Sequence, residues 1–268
     1  MKTEGTRHSQ VLGIDIGGSG IKGAPVDTER GVLLAERLHI PTPQPAKPEA
    51  VADVVAELVQ HFAWSGPVGC AFPAVIKSGV TATAANIDER WIGFDAQSLF
   101  EHRTGCSVSL CNDADAAGVA EMLFGAGRGQ QGLVIMLTLG TGIGSAIFIG
   151  GRLVPNTELG HLMIRGKKAE HRASARVRTE QNWSWQQWAA RLDEVMCCID
   201  SLLNPDLFIL GGGVSKEHAS FLHHLKIQVP LLPAELRNDA GIVGAALAEG
   251  GLSRQIEAAS LMPVATVP

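Results

Sequence analysis

The chain has 268 residues, of which 46% are hydrophobic and 18% are charged, and its formal net charge is -5. This composition supplies a packed core and excludes an intrinsically disordered chain. At roughly 150 residues per domain, the length predicts two lobes. The small negative charge excludes a general attraction to nucleic acid or to an anionic membrane, so we expect neither as a partner.

The cysteines and the N-terminus indicate a cytoplasmic protein. The five cysteines are an odd number and form no Cys-x-x-Cys pair, and Met1–Gln10 is polar, unlike a signal peptide. The uncharged segment 132–151 has the length of a membrane-spanning helix, but six glycines and two threonines interrupt it. Two buried strands joined by a tight turn are the better prediction for this segment.

The first half of the chain predicts strands, a helix and further strands, in that order. Pro48 opens a segment in which apolar residues recur at intervals of three and four, as on one face of a helix. An acidic helix start at 112–115 follows the last of these strands. The predicted strands are Val11–Ile16, Ile21–Val26, Gly31–Ile40, Pro67–Phe72 and Ser107–Cys111.

The second half repeats this pattern. A long amphipathic helix is predicted from Trp185 to Ile199 and ends at Asn204, and a final helix covers Ala240–Glu249 before a tail, Ser253–Pro268, that we expect to be partly unordered. The predicted strands are Leu133–Leu139, Ile143–Ile149, Arg152–Val154 and Leu207–Leu210.

The repeat indicates a duplicated α/β unit rather than a short-period solenoid. We expect residues 1–113 to form a small N-terminal α/β lobe and residues 114–268 to form a larger C-terminal α/β lobe. The last helix, 240–250, is expected to pack back on the first lobe.

Two glycine turns carry groups that bind phosphate. The first turn, Gly17–Gly20, contains the hydroxyl of Ser19 and lies between the carboxylate of Asp15 and the amine of Lys22. The second turn is Gly140-Thr141-Gly142. Exposed backbone N–H groups in such turns approach phosphate oxygens closely. Neither turn matches the Walker P-loop or the dinucleotide fingerprint, so neither of those classes is favoured.

The pair of turns resembles the superfamily of sugar kinases, actin and chaperone ATPases, in which two hairpins hold the phosphates of ATP. Four segments resemble the ROK sugar kinases within it. They are Asp15 with Gly17-Gly18, Asn112-Asp113, Leu139–Gly144 and Glu158-Leu159-Gly160-His161. The resemblance implies a duplicated ribonuclease H-like fold of the actin and hexokinase type, with a cleft between the two lobes.

Further segments resemble the polyphosphate-dependent glucokinases and glucomannokinases. These segments are Ala84–Asp88, Trp91–Gly93, Glu170–Ser174, Trp185–Trp188 and Pro205–Ile209. The resemblance implies a kinase that phosphorylates the 6-hydroxyl of glucose, and mannose as a second candidate, with Mg²⁺ and either polyphosphate or ATP as the phosphoryl donor. A strictly ATP-dependent hexose kinase and a non-catalytic sugar sensor of the same fold are the alternatives.

Repressors of the same family carry an N-terminal helix-turn-helix, whereas about ten residues precede the first strand here. DNA binding is therefore disfavoured. A monomer and a homodimer both remain open.

Asp113 is the candidate general base. A sugar hydroxyl loses its proton as it attacks the phosphoryl group, and a carboxylate at hydrogen-bonding distance accepts that proton. The alternative is that Asp113 or Asp115 only caps the following helix. We assign the cap to Asp115 or Asn112, and the base to Asp113, which matches the catalytic position of the family.

The resemblance also implies residues that bind the two substrates. Hydrogen-bonding side chains select a hexose because an analogue that leaves them unpaired is rejected. The candidate sugar-binding residues are Asn86, Asn112, Asp113, Glu158, His161 and Glu170. The candidate phosphate-binding and nucleotide-binding residues are Asp15, Gly17, Gly18, Ser19, Lys22, Thr138, Gly140, Thr141, Gly142, Gly211, Gly212 and Lys216. Asp15 is also the candidate for an indirect contact with Mg²⁺.

One departure from the family concerns zinc. Most ROK kinases have a cysteine cluster after the histidine of Glu-x-Gly-His, but residues 162–182 contain no cysteine, so we expect no zinc. Residues 165–180 instead contain six basic residues against two acidic ones. A solvated basic loop is one interpretation. The other is a polyphosphate-binding patch that includes Lys167, Lys168 and Arg172.

Overall fold

The computed structural model of the chain describes residues 9–85 and 87–250, and the predicted sugar ligand Asn86 and the predicted tail from Ser253 lie outside the described residues. The strands of the first half are β1 (Gln10–Ile16), β2 (Gly20–Asp27), β3 (Val32–Leu33), β4 (Leu38–Pro41), β5 (Val68–Phe72), β6 (Ile76–Lys77), β7 (Val80–Thr81), β8 (Phe94–Asp95) and β9 (Val108–Asn112). Those of the second half are β10 (Leu133–Leu139), β11 (Ile143–Ile149), β12 (Arg152–Val154), β13 (Met163–Ile164), β14 (Lys167–Lys168), β15 (Leu207–Gly211) and β16 (Leu231–Pro233).

The helices cover the faces of the sheets. They are α1 (Pro48–His61), α2 (Ala96–Thr104), α3 (Asp113–Phe124), α4 (Glu170–Ala173), α5 (Ala175–Glu180), α6 (Trp185–Leu203), α7 (His218–Phe221) and α8 (Ala240–Leu247). Short 3₁₀ turns occur at Glu89–Trp91, Leu159–His161, Gly213–Glu217, Leu222–His224, Arg237–Asp239 and Ala248–Gly250.

The two main sheets have the same topology. The first has the order β3-β2-β1-β5-β9, and the second has the order β12-β11-β10-β15-β16. In each sheet an antiparallel hairpin, β1 with β2 or β10 with β11, is followed by two strands that run parallel to its first strand. The predicted duplication of an α/β unit is therefore confirmed, although β16 was not predicted.

The predicted single strand Gly31–Ile40 is wrong. It divides into β3 and β4, which pair with opposite ends of β2. Four residues, 34–37, lie opposite Ala24 and Pro25 of β2. Since Pro25 has no N–H to donate, a regular ladder cannot continue through this point.

Helices α3 and α8 form the layer between the two sheets. Helix α8 packs on β1 and β5 of the first sheet, α3 packs on β10 and β11 of the second, and the two helices contact each other. Two glycines permit the close approach of α8, because a Cβ at Gly13 or Gly69 would lie 2.0 or 1.8 Å from carbonyl oxygens of that helix. One buried cluster runs from Val11 of the first sheet through both helices to Phe148 of the second.

The outer face of each sheet has its own core. Helices α1 and α2 cover the first sheet around Phe72 and Trp91, and α6 covers the second sheet around Trp188. A capping box between Ser184 and Gln187 starts α6, and Asn204 in the left-handed conformation ends it. The helices predicted at Pro48 and Trp185 are confirmed.

The uncharged segment 132–151 contains the antiparallel hairpin of β10 and β11. Among the helices of the described residues, none has the length and apolar character needed to cross a membrane.

Candidate active site

A cavity of about 300 Å³ opens between the two sheets, and the glycine turns of both hairpins line it. The ends of β1, β9 and β10 and the start of α8 meet there, because the two sheets repeat one topology on either side of the α3–α8 layer. Of the residues that the sequence singled out, the lining includes Asp15, Gly17, Gly18, Ser19, Lys22, Asn112, Asp113, Thr138, Gly140, Thr141, Gly142, Glu158, His161, Glu170 and Gly212.

Side chains from β4 and the following loop hold the first glycine turn. The Thr42 hydroxyl donates to the carbonyl of Gly17 at 2.6 Å, and the Gln44 amide donates to that of Gly18 at 3.2 Å. At Gly20, a Cβ would lie 2.0 Å from Nε2 of His39, so only glycine leaves room for that ring. Lys22 and Asp15 are paired across the hairpin at 3.8 Å.

The second glycine turn is held by the start of α5. The backbone N–H of Arg176 donates to the carbonyl of Gly140 at 3.1 Å, and Gly140 donates to Gly142 at 3.1 Å. A Cβ at Gly140 would meet no atom within 4 Å, so this residue faces open space in the cavity. Arg176 therefore adjoins the second glycine turn, and its side chain is exposed.

A further glycine turn, Gly211-Gly212-Gly213 at the end of β15, is only partly in the cavity. Gly212 has φ of +81° and packs against the backbone of Leu139, and it lines the cavity together with Gly213. Gly211 ends β15 and is buried beneath Met136, and Lys216 is exposed on the 3₁₀ turn Gly213–Glu217. Neither Gly211 nor Lys216 lines the cavity, so their assignment to the donor site stays a prediction.

Asn112, rather than Asp115, caps α3. The Oδ1 atom of Asn112 accepts hydrogen bonds from the N–H groups of Ala114 at 2.9 Å and Asp115 at 3.0 Å, and Nδ2 donates to the carbonyl of Ala74 at 3.1 Å. Asn112 is therefore committed mainly to the backbone, although it lines the cavity. The cap fixes the first turn of α3, in which Asp113 lies.

Two carboxylates, those of Asp15 and Asp113, line the cavity, and the charge of Asp15 acts on Asp113. Burial and the nearby charge of Asp15 raise the pKa of Asp113 to about 7, against the hydrogen bond from the Ala114 N–H, which lowers it. Burial also raises the pKa of Asp15, while Lys22 lowers it. A carboxylate with a pKa near neutrality suits a general base.

Glu158, His161 and Glu170 form one polar group at the other side of the cavity. The Nε2 atom of His161 lies 3.6 Å from Oε1 of Glu170 and 3.9 Å from Oε2 of Glu158. Burial raises the pKa of Glu158, an effect that His161 opposes and Glu170 reinforces. Glu170 is buried at the start of α4 and also contacts Lys168 at 3.8 Å. The group offers both donors and acceptors to a polyol.

The predicted basic cluster is not a single free surface. Arg165 and Arg172 both pair with Glu194 of α6, and the Arg172 side chain is only 12% exposed. Glu194 lies outside residues 165–180, so the count of charges in that segment did not include it. The guanidinium of Arg178 lies over the ring of Trp185 at 3.5 Å. Arg172 is thus held in an ion pair and little exposed, which does not favour its assignment as a polyphosphate ligand, and that assignment stays a prediction.

Several lining residues were missed in the sequence. They are His39, Thr83, Thr157, Arg237 and Asn238. His39 reaches the cavity because β4 pairs with β2 and places His39 opposite Lys22. Arg237 reaches it because its 3₁₀ turn directly precedes α8. Of these five residues, only Thr157 had a sequence feature that indicated a place in the site, since it adjoins Glu158.

The donor set suits Mg²⁺ better than zinc. Within residues 9–85 and 87–250, no three His, Cys, Asp or Glu side chains are arranged as ligands for one metal ion. Magnesium is commonly bound by one or two carboxylates together with phosphate oxygens and water. Asp15 supplies one such carboxylate in the cavity, and phosphate oxygens of a donor would supply further ligands, so the residues present fit Mg²⁺.

Comparisons with known proteins agree with this geometry. Residues 11–175 match the ROK family. The chain is 48% identical to the polyphosphate glucokinase of Mycobacterium tuberculosis, over 90% of this chain and 91% of that protein.

Two solved structures are similar along most of the chain. An inorganic polyphosphate/ATP-glucomannokinase from Arthrobacter sp. strain KM has a TM-score of 0.89 at 48% identity, covering 91% of this chain and 99% of that one. A ROK family glucokinase from Streptomyces griseus, solved with glucose and AMPPNP, has a TM-score of 0.76 at 27% identity, covering 92% and 99%. The two-lobe kinase fold is confirmed, and the chain is a member of the ROK family.

Proposed function

We propose that the chain is a glucokinase that transfers a phosphoryl group from inorganic polyphosphate or ATP to the 6-hydroxyl of glucose, with mannose as a second acceptor. The observation that carries this proposal is the single cavity that contains two glycine turns, Asp113 and the Glu158–His161–Glu170 group. The relatives named polyphosphate glucokinase and polyphosphate/ATP-glucomannokinase support the choice of donor and acceptor.

Asp113 accepts the proton of the attacking hydroxyl. As the oxygen of the sugar bonds to the terminal phosphorus, its proton passes to the Asp113 carboxylate and the donor leaves as a shortened polyphosphate or as ADP. Because burial raises the pKa of Asp113 to about 7, the carboxylate is basic enough to accept this proton at neutral pH. Glu158, His161 and Glu170 orient the sugar so that the hydroxyl is in line with the donor.

The glycine turns and Lys22 hold the donor. Backbone N–H groups and the Lys22 amine neutralise phosphate oxygens, and Asp15 is the residue that would hold Mg²⁺, directly or through water. When bound, Mg²⁺ neutralises the charge that develops on the transferred phosphoryl group. The two turns lie at equivalent ends of β1 and β10, so they hold the donor from both sheets.

A long polyphosphate chain needs cations beyond the cavity. We propose that the polyphosphate patch consists of Lys167, Lys168 and Arg176, with Arg176 in place of Arg172. Arg176 adjoins the Gly140 turn and is 42% exposed, with its nearest acidic partner, Glu180, at 3.8 Å. Lys167 is exposed on the β13–β14 hairpin, and Lys168 is 39% exposed.

A coupled assay of hexose 6-phosphate formation tests the function, with glucose 6-phosphate detected as the product from glucose and mannose 6-phosphate as the product from mannose. Glucose and mannose are each offered with ATP and with polyphosphate, in parallel and with Mg²⁺. Product from polyphosphate supports the proposal, and product from ATP alone indicates the alternative of a strictly ATP-dependent hexose kinase. Glucose binding without product from either donor would indicate a non-catalytic sugar sensor. We also propose a cytoplasmic enzyme that acts as a monomer or homodimer, without a nucleic-acid or membrane partner.

A further inference from the structure

Asp115 is a buried carboxylate for which the proposed reaction has no use. It lies two residues after Asp113 on α3 and is 2% exposed. Its Oδ2 atom accepts a hydrogen bond from the backbone N–H of Asn156 at 2.7 Å. Its Oδ1 atom is buried and has no hydrogen-bond partner, and no ion pair involving Asp115 is found among residues 9–85 and 87–250.

Retaining this carboxylate is costly. Burial raises the pKa of Asp115 to about 7, and the hydrogen bond from Asn156 opposes the rise. A buried acceptor without a partner costs about 1–3 kcal/mol, so an apolar residue would stabilise an ordinary helix more. The cost of Asp115 therefore calls for a compensating role, and its one strong contact is with Asn156.

Asn156 bridges two separate parts of the chain. Its amide forms a pair of hydrogen bonds with the backbone of Ile76: Oδ1 accepts from the N–H at 2.9 Å, and Nδ2 donates to the carbonyl at 3.1 Å. Asn156 has φ of +58°, a left-handed conformation that favours Asn and Gly. The bridge ties the segment before Glu158 to β6 of the first half.

The sugar-binding groups adjoin this junction. Thr157 and Glu158 follow Asn156 directly, and the hairpin that begins at Ile76 leads to Thr83, which also lines the cavity. Ser145 of β11 anchors the same segment, because its hydroxyl donates to the carbonyl of Thr157 at 2.8 Å and accepts from the N–H of Leu159 at 3.0 Å.

We propose that Asp115 is a positioning residue that holds Asn156, and through it sets Glu158 and the Ile76–Thr83 segment around the sugar, in register with Asp113 on the same helix. This inference deepens the proposed function and rests on it. Asp113 and Asp115 share the first turn of α3, so the base and the support of the sugar-binding segment move as one unit.

The test compares three variants with the wild-type protein. Asp115→Ala removes the acceptor for the Asn156 N–H, and Asp115→Asn keeps an acceptor there. Asn156→Gly tolerates the positive φ and keeps its N–H for Asp115, but it loses the bridge to Ile76. The control is Glu121→Ala, also on α3, which removes a buried carboxylate that accepts backbone hydrogen bonds from Ala126, Glu235 and Leu236 and not from the segment 156–158.

Glucose affinity is measured by calorimetry without donor, and kcat and both KM values by the coupled assay. We expect Asp115→Ala and Asn156→Gly to raise the Kd and KM for glucose roughly tenfold, because the first loses one hydrogen bond of this junction and the second loses two. The donor KM and the kcat at saturating glucose should change less than about threefold. Asp115→Asn should recover most of the glucose affinity. Glu121→Ala should lower the melting temperature and leave glucose affinity unchanged.

Two results would overturn the inference. One is wild-type glucose affinity in both Asp115→Ala and Asn156→Gly. The other is an equal loss of glucose affinity in Glu121→Ala, which would show a general effect of lower stability. If Asp115→Ala does not fold, Asn156→Gly still tests the bridge to Ile76, and wild-type glucose affinity in that variant overturns the inference. A wild-type protein that neither binds glucose nor forms product would instead refute the proposed function.

Discussion

The backbone of Gly160 lies directly against Ile143, the first residue of β11: a Cβ at position 160 would stand 2.0 Å from the Ile143 carbonyl oxygen. Gly160 is the centre of the turn between Glu158 and His161, and Ile143 follows the second glycine turn. The Glu158–His161 turn, which we propose binds the sugar, is therefore in direct backbone contact with the strand that follows the second glycine turn.

This contact predicts that Gly160→Ala weakens the use of both substrates. The methyl group must displace either the sugar-binding turn or β11, so we expect a higher glucose KM, a higher donor KM and a lower melting temperature. Steady-state kinetics and thermal unfolding measure these effects. Gly66→Ala is the control, because its Cβ would approach only the Trp64 ring, at 3.3 Å. Unchanged kinetics in Gly160→Ala would show that the two turns move independently.

Asp113→Asn tests the general base. The amide keeps the size of the side chain but accepts no proton, so turnover should fall by roughly 10²–10⁴-fold while donor affinity changes little. The assignment is wrong if the variant keeps more than about a tenth of the wild-type kcat.

The pH profile tests the same residue in the wild-type enzyme. The base must be deprotonated, and the pKa of Asp113 is raised to about 7, so kcat/KM should rise with pH up to about 7 and then level off. A profile that is flat from pH 5 to pH 8 would exclude Asp113 as the titrating group.

Glu158→Ala and His161→Ala should impair glucose binding. Each truncation leaves sugar hydroxyls without a partner at about 1–3 kcal/mol, which corresponds to an increase in glucose KM of about 5-fold to 150-fold. The donor KM serves as the internal control. A glucose KM that stays at the wild-type value in both variants would reduce this group to a structural ion cluster.

The donor patch should respond to salt and to neutralisation. Changing Lys167, Lys168 and Arg176 together to Gln should raise the polyphosphate KM more than the ATP KM, and the polyphosphate KM should also rise more steeply with salt. Neutralising Arg30, Arg128 and Lys226, which are exposed and do not line the cavity, is the matched control. An equal change in the KM values of both donors would show that the patch is a solvated loop that does not bind polyphosphate.

Activity should require Mg²⁺, and metal analysis of the purified protein should find no stoichiometric zinc. Asp15→Asn should raise the Mg²⁺ concentration needed for half-maximal activity, because the carboxylate proposed to hold Mg²⁺ is lost. Stoichiometric zinc in the purified protein would contradict the argument from the missing cysteines.

Local patterns in the sequence were sufficient to predict the repeated hairpins and the long helices. The glycine turns at Gly17 and Gly140 and the three-four spacing of α1 and α6 depend on neighbouring residues only, so they can be read without tertiary contacts. The Asn112-Asp113 and Glu158–His161 motifs likewise placed candidate residues that the fold brings to one cavity. The division of 31–40 into two strands was missed because it depends on pairing with β2.

Pairings between distant segments were decided by the tertiary structure alone. The charge of Arg172 is compensated by Glu194, the carboxylate of Asp115 meets Asn156, and Arg237 enters the cavity at the start of α8. The sequence determined which chemical groups are present and in which local turns they lie. Whether a cation is free to bind phosphate or is held in an ion pair depends on which helix packs beside it, and that is set by the folding of the whole chain.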